Sequence, residues 1–123
     1  MDSRYSNSII VCAFNEEENI FHCLSSIEKA VEKIINYEVL VINNGSSDNT
    51  NVKIKDFFNN SSKIFANNLK VFNINHVGLS EARNFGIKKC NGNFISFVDA
   101  DATVDIHWLN EINLSFKKYD VDI

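Results

Sequence analysis

The chain lacks the features that mark secreted, membrane-spanning or nucleic-acid-binding proteins. Its three cysteines lie far apart, with no C-x-x-C and no metal-ligand spacing, which favours reduced thiols in a cytosol over a disulfide framework. No apolar run approaches the length of a bilayer span, and the first ten residues do not resemble a signal peptide, so we expect neither. The formal charge of −4, without a cluster of lysine and arginine, argues against a nucleic-acid partner.

What is present is enough for one globular domain. The 123 residues are 45% hydrophobic, which is ordinary for a soluble protein and sufficient for a core without staples. No internal repeat or linker divides the chain, so we expect residues 1–123 to form a single domain. Because the protein is acidic, a phosphorylated ligand would need a cation or backbone N–H groups beside it.

Apolar runs of strand length alternate with segments of helical periodicity. The predicted strands are Ser8–Phe14, Tyr37–Asn43, Leu69–Asn75 and Phe94–Val98. Four helices are predicted. The first starts at an Asn15–Glu18 capping box and has one apolar face, formed by Ile20, Leu24, Ile27, Val31 and Ile34. The second runs from Asp48 to about Phe58, the third is capped by Ser80 and ends near Gly92, and the fourth runs from about Asp105 to Tyr119. The stretch between the second helix and the third strand, "NNSSKIFANN", is predicted as a loop. This alternation predicts an α/β fold with a mostly parallel sheet, helices on both faces and strand order 3-2-1-4.

Two acidic residues follow the fourth predicted strand where it leaves the core. In "FISFVDADAT", Asp99 and Asp101 are separated by one alanine, and in an extended segment their side chains would point the same way. Carboxylates so close repel unless something positive joins them, and Mg²⁺ or Mn²⁺ typically binds one or two carboxylates together with substrate phosphates. Ligands of such sheets bind where the winding reverses, here between strands one and four. The residues alone leave open a solvated loop with an aspartate helix cap.

Four motifs in the right order resemble the family 2 glycosyltransferases with the GT-A fold, a Rossmann-like α/β fold. "IIVCAFNEEENI" is similar to the family's first strand and its N-E-E turn, and "VLVINNGSSDNT" to its D-D-G-S-x-D-x-T motif. "GLSEARNFGIKKCNGNFISFVDADA" is similar to its G-x-S-x-A-R-N-x-G segment leading into D-x-D. The resemblance runs over nearly the whole chain. It has one departure without expected consequence, Cys12 in place of a frequent proline.

The resemblance implies transfer of a sugar from a nucleotide diphosphate donor, UDP- or dTDP-linked, to a hydroxyl of a carbohydrate or lipid-linked acceptor, with inversion. It implies assistance by Mg²⁺ or Mn²⁺ and a cytoplasmic location, including the inner face of the membrane. In the family the acceptor-binding half and the general base lie further along than this chain reaches. We therefore expect residues 1–123 to be the N-terminal, donor-binding portion, with the catalytic base beyond Ile123. The alternative is a nucleotide-sugar-binding module without turnover.

The family's motif residues carry over one by one. Asp101 is the expected direct metal ligand, and Asp99 is expected to contact the ribose or the metal. Phe14 stands where an aromatic residue flanks the base, although a core phenylalanine is equally consistent with its position. Glu16 is expected to contact the nucleotide. Arg83 is expected to approach the diphosphate, or else to be a solvated helix charge.

Asparagines at positions 43 and 44 replace the family's acidic pair. The second of those acids receives an N–H of the base, and the amide oxygen of Asn44 offers an uncharged substitute with a competing NH₂ donor. Asp48 and Ser46 are expected to shape the turn and cap the second helix. Asp120 and Asp122 form a second D-x-D, which we expect to open a further strand. The three histidines, His22, His76 and His107, show no ligand spacing and have no predicted role.

Two other switch-point folds fit less well. A sugar nucleotidyltransferase would have a glycine-rich loop after strand one, where this chain has "AFNEEEN". A phosphoacceptor receiver domain would have an acid after strand three, where this chain has "NINHVG". The sequence therefore favours the glycosyltransferase or the binding module.

Overall fold

The structure, a computed structural model, describes residues 6–119, and for residues 115–119 it describes the backbone alone. The second D-x-D, Asp120 and Asp122, lies outside the described residues. No helix in the described part of the chain is both long and apolar enough to cross a bilayer.

Four parallel strands form the sheet in the order β3-β2-β1-β4, as the sequence predicts. The strands are β1 (Asn7–Ala13), β2 (Tyr37–Asn44), β3 (Leu69–Ile74) and β4 (Phe94–Asp99). The central strand β1 pairs with β2 from Asn7↔Tyr37 to Ala13↔Asn43, and with β4 from Asn7↔Phe94 to Cys12↔Asp99. Continuous apolar runs suit β1 and β2 because helices cover both of their faces.

Five helices surround this sheet in the described chain. They are α1 (Ile20–Ala30), α2 (Thr50–Asn60), α3 (Lys63–Asn68), α4 (Leu79–Lys89) and α5 (Trp108–Tyr119). The larger core lies on one face, where β1 and β2 side chains pack against α1, α2, α3 and the buried Leu109 of α5. The smaller core lies under α4 and consists of Ile10, Leu40, Ile42 and Ala82. Gly86 allows α4 to approach closely, since a Cβ there would lie 2.8 Å from Cγ2 of Ile10.

Helix α3 corrects the prediction of a loop between α2 and β3. Ser62 accepts a hydrogen bond from the amide of Phe65 at 3.2 Å and thereby caps the helix. Phe65 is 1% exposed and packs edge-on against Phe57, with ring centroids 5.8 Å apart. A segment rich in asparagine and serine thus becomes helical because a single aromatic residue enters the core.

The predicted helix starts also need correction. Asn15 and Glu18 form no capping box, because α1 begins at Ile20 with Asn19 as its N-cap. Ser80 lies inside α4, whose N-cap is Gly78. Helix α5 begins at Trp108, and Asp105 instead accepts a hydrogen bond from the amide of His107 at 2.9 Å.

A half-buried carboxylate ties the strand starts together at the amino edge of the sheet. Glu38 of β2 accepts hydrogen bonds from Ser8 Oγ of β1 at 2.6 Å, from Lys70 Nζ of β3 at 2.8 Å, and from the amide of Asn91 before β4. Burial raises the pKa of Glu38, but the hydrogen bonds from Lys70, Ser8 and Asn91 and the charge of Lys70 outweigh it and lower the pKa below its usual value. The carboxylate form therefore stabilises the folded state.

At the opposite edge, Asn15 joins the loops that follow β1 and β2. Its φ is 53°, in the left-handed region that asparagine tolerates better than most residues. Its Oδ1 accepts hydrogen bonds from the amides of Ser47 at 2.8 Å and Asp48 at 3.3 Å, and its own amide donates to Ser46 Oγ at 2.9 Å. Asp48 in turn accepts from the amides of Thr50 and Glu17, so the expected role of Ser46 and Asp48 in shaping this turn is confirmed. Their expected role as the cap of α2 is wrong, because α2 begins at Thr50 and its N-cap is Asn49.

We expect Glu38→Gln to lower the free energy of unfolding by about 1–2 kcal/mol at pH 7, because it removes a charged acceptor from three hydrogen bonds. A lowered pKa in the folded state gives stability that is present above the unfolded-state pKa and is lost as the pH falls. The difference between wild type and variant should therefore shrink below about pH 4. Urea unfolding of wild type and variant, at pH 7 and below about pH 4, measures this difference in the free energy of unfolding. Glu32→Gln, at an exposed glutamate, is the control. A pH-independent difference would contradict the role of the carboxylate.

We expect Asn15→Ala to lower the free energy of unfolding by about 1–2 kcal/mol, because alanine lacks the acceptor and is strained at positive φ. Asn15→Asp keeps the acceptor and should remain close to wild type. Asn15→Gly relieves the backbone strain but loses the acceptor, so it should fall between the two. Chemical unfolding of all three variants separates the two contributions. Equal stability of the alanine and aspartate variants would mean that the Asn15 side chain does not hold the two loops.

Candidate functional site

The candidate site lies at the carboxyl edge of the sheet, where β1, β2 and β4 end. Cys12 and Asp99 are register partners on β1 and β4, and their side chains share the α4 face with Ile10. Burial raises the pKa of the Cys12 thiol, and the positive charge of Arg83 on α4 partly opposes this rise. Arg83 therefore lies close to this junction. The predicted switch point between strands one and four therefore carries both a cation and a carboxylate.

Arg83 lies beside Asp99 without being saturated by it. Its Nη2 is 3.7 Å from Asp99 Oδ1, which is an ion pair too long for a hydrogen bond. The guanidinium also sits over the Phe97 ring, 5.5 Å from its centroid. The side chains of Arg83 and Asp99 are 40% and 74% exposed, so both present free polar atoms to solvent. Arg83 thus lies at the candidate site, which is the position that the prediction of a diphosphate contact requires.

The D-x-D segment is a turn, which corrects the expectation of an extended segment. Strand β4 ends at Asp99, and the amide of Ala102 donates to the Asp99 carbonyl at 2.9 Å. Ala100 is 4% exposed and anchors the turn, while Asp99 and Asp101 are exposed on either side of it. Both carboxylates are exposed because of the turn, and not because side chains two residues apart in a strand point the same way.

Three carboxylates create a negative field beneath this turn. The pKa of Cys23 is raised to about 12, first by burial and then by the charges of Asp101, Glu16 and Asp99. Its thiol donates a weak hydrogen bond to the Asp99 carbonyl at 3.5 Å. Burial and then the charge of Asp101 also raise the pKa of Glu16. Glu16 is therefore close to the D-x-D turn, as its predicted role requires.

The exposed acids suit a hard cation only in part. Among residues 6–119, no group of three or more histidine, cysteine, aspartate and glutamate side chains is arranged to hold a metal ion. Asp101 accepts no hydrogen bond from the described residues, and Asp99 has only its long contact with Arg83. Two free carboxylates fit Mg²⁺ or Mn²⁺ when phosphate oxygens of a ligand complete the coordination.

Phe14 is not a core residue. It is 46% exposed, and its ring lies 4.2 Å from the ring of His76, centroid to centroid, at an angle of 36°. His76 follows β3 and had no predicted role, but its ring contacts Phe14 after β1 and its Nδ1 lies 3.1 Å from the carbonyl oxygen of Asn44 at the end of β2. A signal was available in its position, since the residues after β3 reach the same edge as those after β1.

Asn44 is 4% exposed, and its amide is engaged by the backbone of Val77. Its Oδ1 accepts from the Val77 amide at 2.9 Å, and its Nδ2 donates to the Val77 carbonyl at 2.8 Å. The neighbouring Asn43 donates to Asn73 Oδ1 at 3.0 Å, which ties β2 to β3. The structure therefore places Asn44 beneath the site, where it holds the segment after β3.

Solved structures share this architecture. S. aureus TarS, residues 1–349, superposes in its complex with UDP-GlcNAc with a TM-score of 0.76 and 28% identity, covering 94% of this chain and 32% of TarS. Its complex with UDP superposes with a TM-score of 0.77 and 26% identity. The fold expected from the sequence, a GT-A-like sheet of order 3-2-1-4, is confirmed.

Curated relatives agree with the structural likeness. The glycosyltransferase GlyA of Streptococcus pneumoniae serotype 4 is 30% identical over 116 residues, which are 94% of this chain and 16% of GlyA. WfgD of Escherichia coli, named UDP-Glc:alpha-D-GlcNAc-diphosphoundecaprenol beta-1,3-glucosyltransferase, is 34% identical over 110 residues, which are 89% of this chain and 39% of WfgD. The chain thus spans well under half of the length of these relatives. The profile of Glycosyl transferase family 2 matches residues 8–123, and the chain belongs to this family.

Proposed function

We propose that the chain is the donor-binding part of a glycosyltransferase and binds a nucleotide diphosphate sugar at the carboxyl ends of β1, β2 and β4. The observation that carries the proposal is the exposed Arg83 beside Asp99 at the β1–β4 junction, with Asp101 exposed in the following turn. A cation, two carboxylates and an exposed aromatic ring at Phe14 match the phosphates, metal and base of such a donor. Membership of the family supports the same assignment.

Five of the six predicted residues have a role in this proposal, and Asn44, whose side-chain amide binds the backbone of Val77, has none. Asp101 is the direct ligand of Mg²⁺ or Mn²⁺, and Asp99 contacts the ribose or the metal. Arg83 binds the diphosphate through its free N–H groups. Phe14 stacks on the base. Glu16 contacts the nucleotide from the loop after β1, where burial and the Asp101 charge raise its pKa and favour a neutral carboxyl more than usual.

The chemistry that these groups serve is departure of the nucleoside diphosphate. Breaking the sugar–phosphate bond leaves new negative charge on the diphosphate, and Arg83 is positioned to stabilise that charge electrostatically. A bound divalent cation would supply Lewis-acid stabilisation of the same charge. Direct attack by an acceptor hydroxyl from the opposite side of the sugar gives inversion at the anomeric carbon, which is part of the proposal.

The names of the relatives support a choice of donor and acceptor. TarS was solved with UDP and UDP-GlcNAc, and WfgD is named for UDP-Glc and a diphosphoundecaprenol-linked sugar. We infer a UDP-linked donor and a carbohydrate or lipid-linked acceptor for this chain. A lipid-linked acceptor would bring a cytoplasmic enzyme to the inner face of the membrane.

A binding module without turnover is the second candidate. It is favoured by the two acids that follow the D-x-D in the described chain. Asp105 accepts a hydrogen bond from the amide of His107 at 2.9 Å, which engages its carboxylate in the turn before α5. Glu111 lies exposed in the first turn of α5. Neither is held by the described residues in the way expected of a general base.

We expect UDP binding to depend on a divalent cation and on Asp101. Titration calorimetry with UDP should show weaker binding in EDTA than with Mn²⁺, because the cation joins carboxylates to phosphates of the same sign. Asp101→Asn should weaken binding in Mn²⁺ by about tenfold or more, since it removes one of two ligands. Asp56→Asn, an exposed carboxylate on α2, is the matched control and should bind as wild type does.

Two outcomes would contradict this assignment. Equal affinity for UDP in EDTA and in Mn²⁺ would remove the metal bridge from the proposal. Metal-dependent binding with equal losses in Asp101→Asn and Asp56→Asn would place the metal elsewhere on the protein.

We expect the 123-residue chain to bind UDP-GlcNAc but to transfer its sugar poorly. Proton abstraction contributes about 10²–10⁴-fold to such a step, and positioning of the acceptor contributes more. Product formation with a panel of acceptors measures transfer, and release of UDP into water measures slow hydrolysis. Transfer at ordinary enzymatic rates of about 1–10³ s⁻¹ would contradict the expectation. Asp105→Asn and Glu111→Gln would then identify the base.

A further inference from the structure

We propose that Phe97 is a positioning residue for Arg83, because its exposed ring holds the guanidinium at the β1–β4 junction where the diphosphate of the donor is proposed to bind. This inference rests on the proposed nucleotide-sugar function and deepens it. Phe97 acts through Arg83 and does not itself touch the donor.

Strand β4 presents the side chains of Phe97 and Asp99 to the same helix. Phe97 pairs in register with Ile10 and Asp99 with Cys12, and both partners pack in the core under α4. Side chains two residues apart in a strand point to the same face, so the Phe97 ring lies one step behind the Asp99 carboxylate. The ring is 43% exposed and belongs to neither core cluster of the described chain. It is therefore accessible to a polar side chain from α4.

Helix α4 brings Arg83 over this ring. Ala82, the residue before it, is fully buried in the core under the helix, which fixes the backbone from which the Arg83 side chain starts. The Arg83 Cζ lies 5.5 Å from the centroid of the Phe97 ring, and Nη2 lies 3.7 Å from Asp99 Oδ1. The guanidinium thus rests between an aromatic face and a carboxylate.

Of these two contacts, the one with the ring can persist when the donor binds. The carboxylate of Asp99 is proposed to contact the ribose or the metal, which would draw it away from Arg83. The ring attracts the cation but carries no oxygen acceptor, so the N–H groups of Arg83 stay free for phosphate oxygens.

The benefit of the ring is pre-organisation. The Arg83 side chain is 40% exposed, and a long flexible side chain loses rotamer freedom when it is fixed on a phosphate. A guanidinium that already rests on Phe97 loses less of that freedom on binding. Removal of the ring should therefore weaken the contact with the diphosphate while the charge of Arg83 remains.

The test compares UDP with UMP, which lacks the β-phosphate, by titration calorimetry in Mn²⁺. Phe97→Leu should lower the preference for UDP by about 2- to 5-fold, the value of an exposed cation–π contact. Phe97→Tyr keeps the ring and should recover most of the preference. Ile95→Ala removes an apolar side chain of similar exposure, 39%, from the same face of β4 and is the control that should bind as wild type does.

A double variant tests whether Phe97 acts through the guanidinium. Arg83→Leu should by itself lower the preference for UDP by about tenfold, because it removes charged donors from the phosphate. Phe97→Leu added to Arg83→Leu should cause no further loss, since the ring then has no cation to hold. A further loss of the same size in the double variant would show that Phe97 acts independently of Arg83 and would overturn the inference.

The remaining outcomes separate this inference from the function on which it rests. Failure of wild type to bind UDP at all would overturn both. UDP binding that weakens in Asp101→Asn, with the same preference in wild type and Phe97→Leu, would overturn only the role of Phe97. Equal losses in Phe97→Leu and Phe97→Tyr would do the same, because the second variant keeps the ring. Thermal melting checks folding, and Phe97→Met, with the same expected loss, replaces Phe97→Leu should the latter be unfolded.

Discussion

The central position of β1 is the constraint on which the candidate site depends. Because β1 pairs with β2 on one side and β4 on the other, the loops that follow three strands meet at one edge. Glu38 secures the opposite edge by joining the starts of β1, β2 and β3 and the turn before β4. The candidate site therefore consists of loops whose ends are held by a fully parallel sheet.

The architecture was predictable from the sequence because it rests on long apolar runs. Continuous runs in β1 and β2 report burial on both faces, and their alternation with amphipathic helices leaves few topologies. Helix α3 was not predictable, since its asparagines and serines favour loops and it is stabilised by the burial of Phe65 against Phe57 and by the Ser62 cap. The start of α1 was misjudged for a related reason. Asn15 has the residue type of a cap, but its amide bonds to a loop more than thirty residues away.

The positions of the candidate site residues were predictable where a charged side chain follows or faces the end of a strand. Asp99, Asp101, Arg83 and Glu16 all lie at the expected edge, because charged residues after parallel strands have no other place. Roles that depend on contacts between loops were not visible. The ring of Phe14 is paired with His76, 62 positions away, and the amide of Asn44 is turned toward Val77. Neither contact leaves a periodicity or spacing in the sequence.

The raised pKa of Cys23 has a chemical consequence beyond electrostatics. A thiolate is the form that attacks electrophiles and peroxide, so a thiol whose pKa is about 12 stays protonated and inert at cellular pH. Cys23 is fully buried against the Asp99 carbonyl, which also denies it access to reagents. Oxidation to a sulfinate would place a new anion beneath Glu16, Asp99 and Asp101. Burial first, and the charges of Asp101, Glu16 and Asp99 second, thus keep the sulfur protonated and prevent it from adding a further charge at this edge.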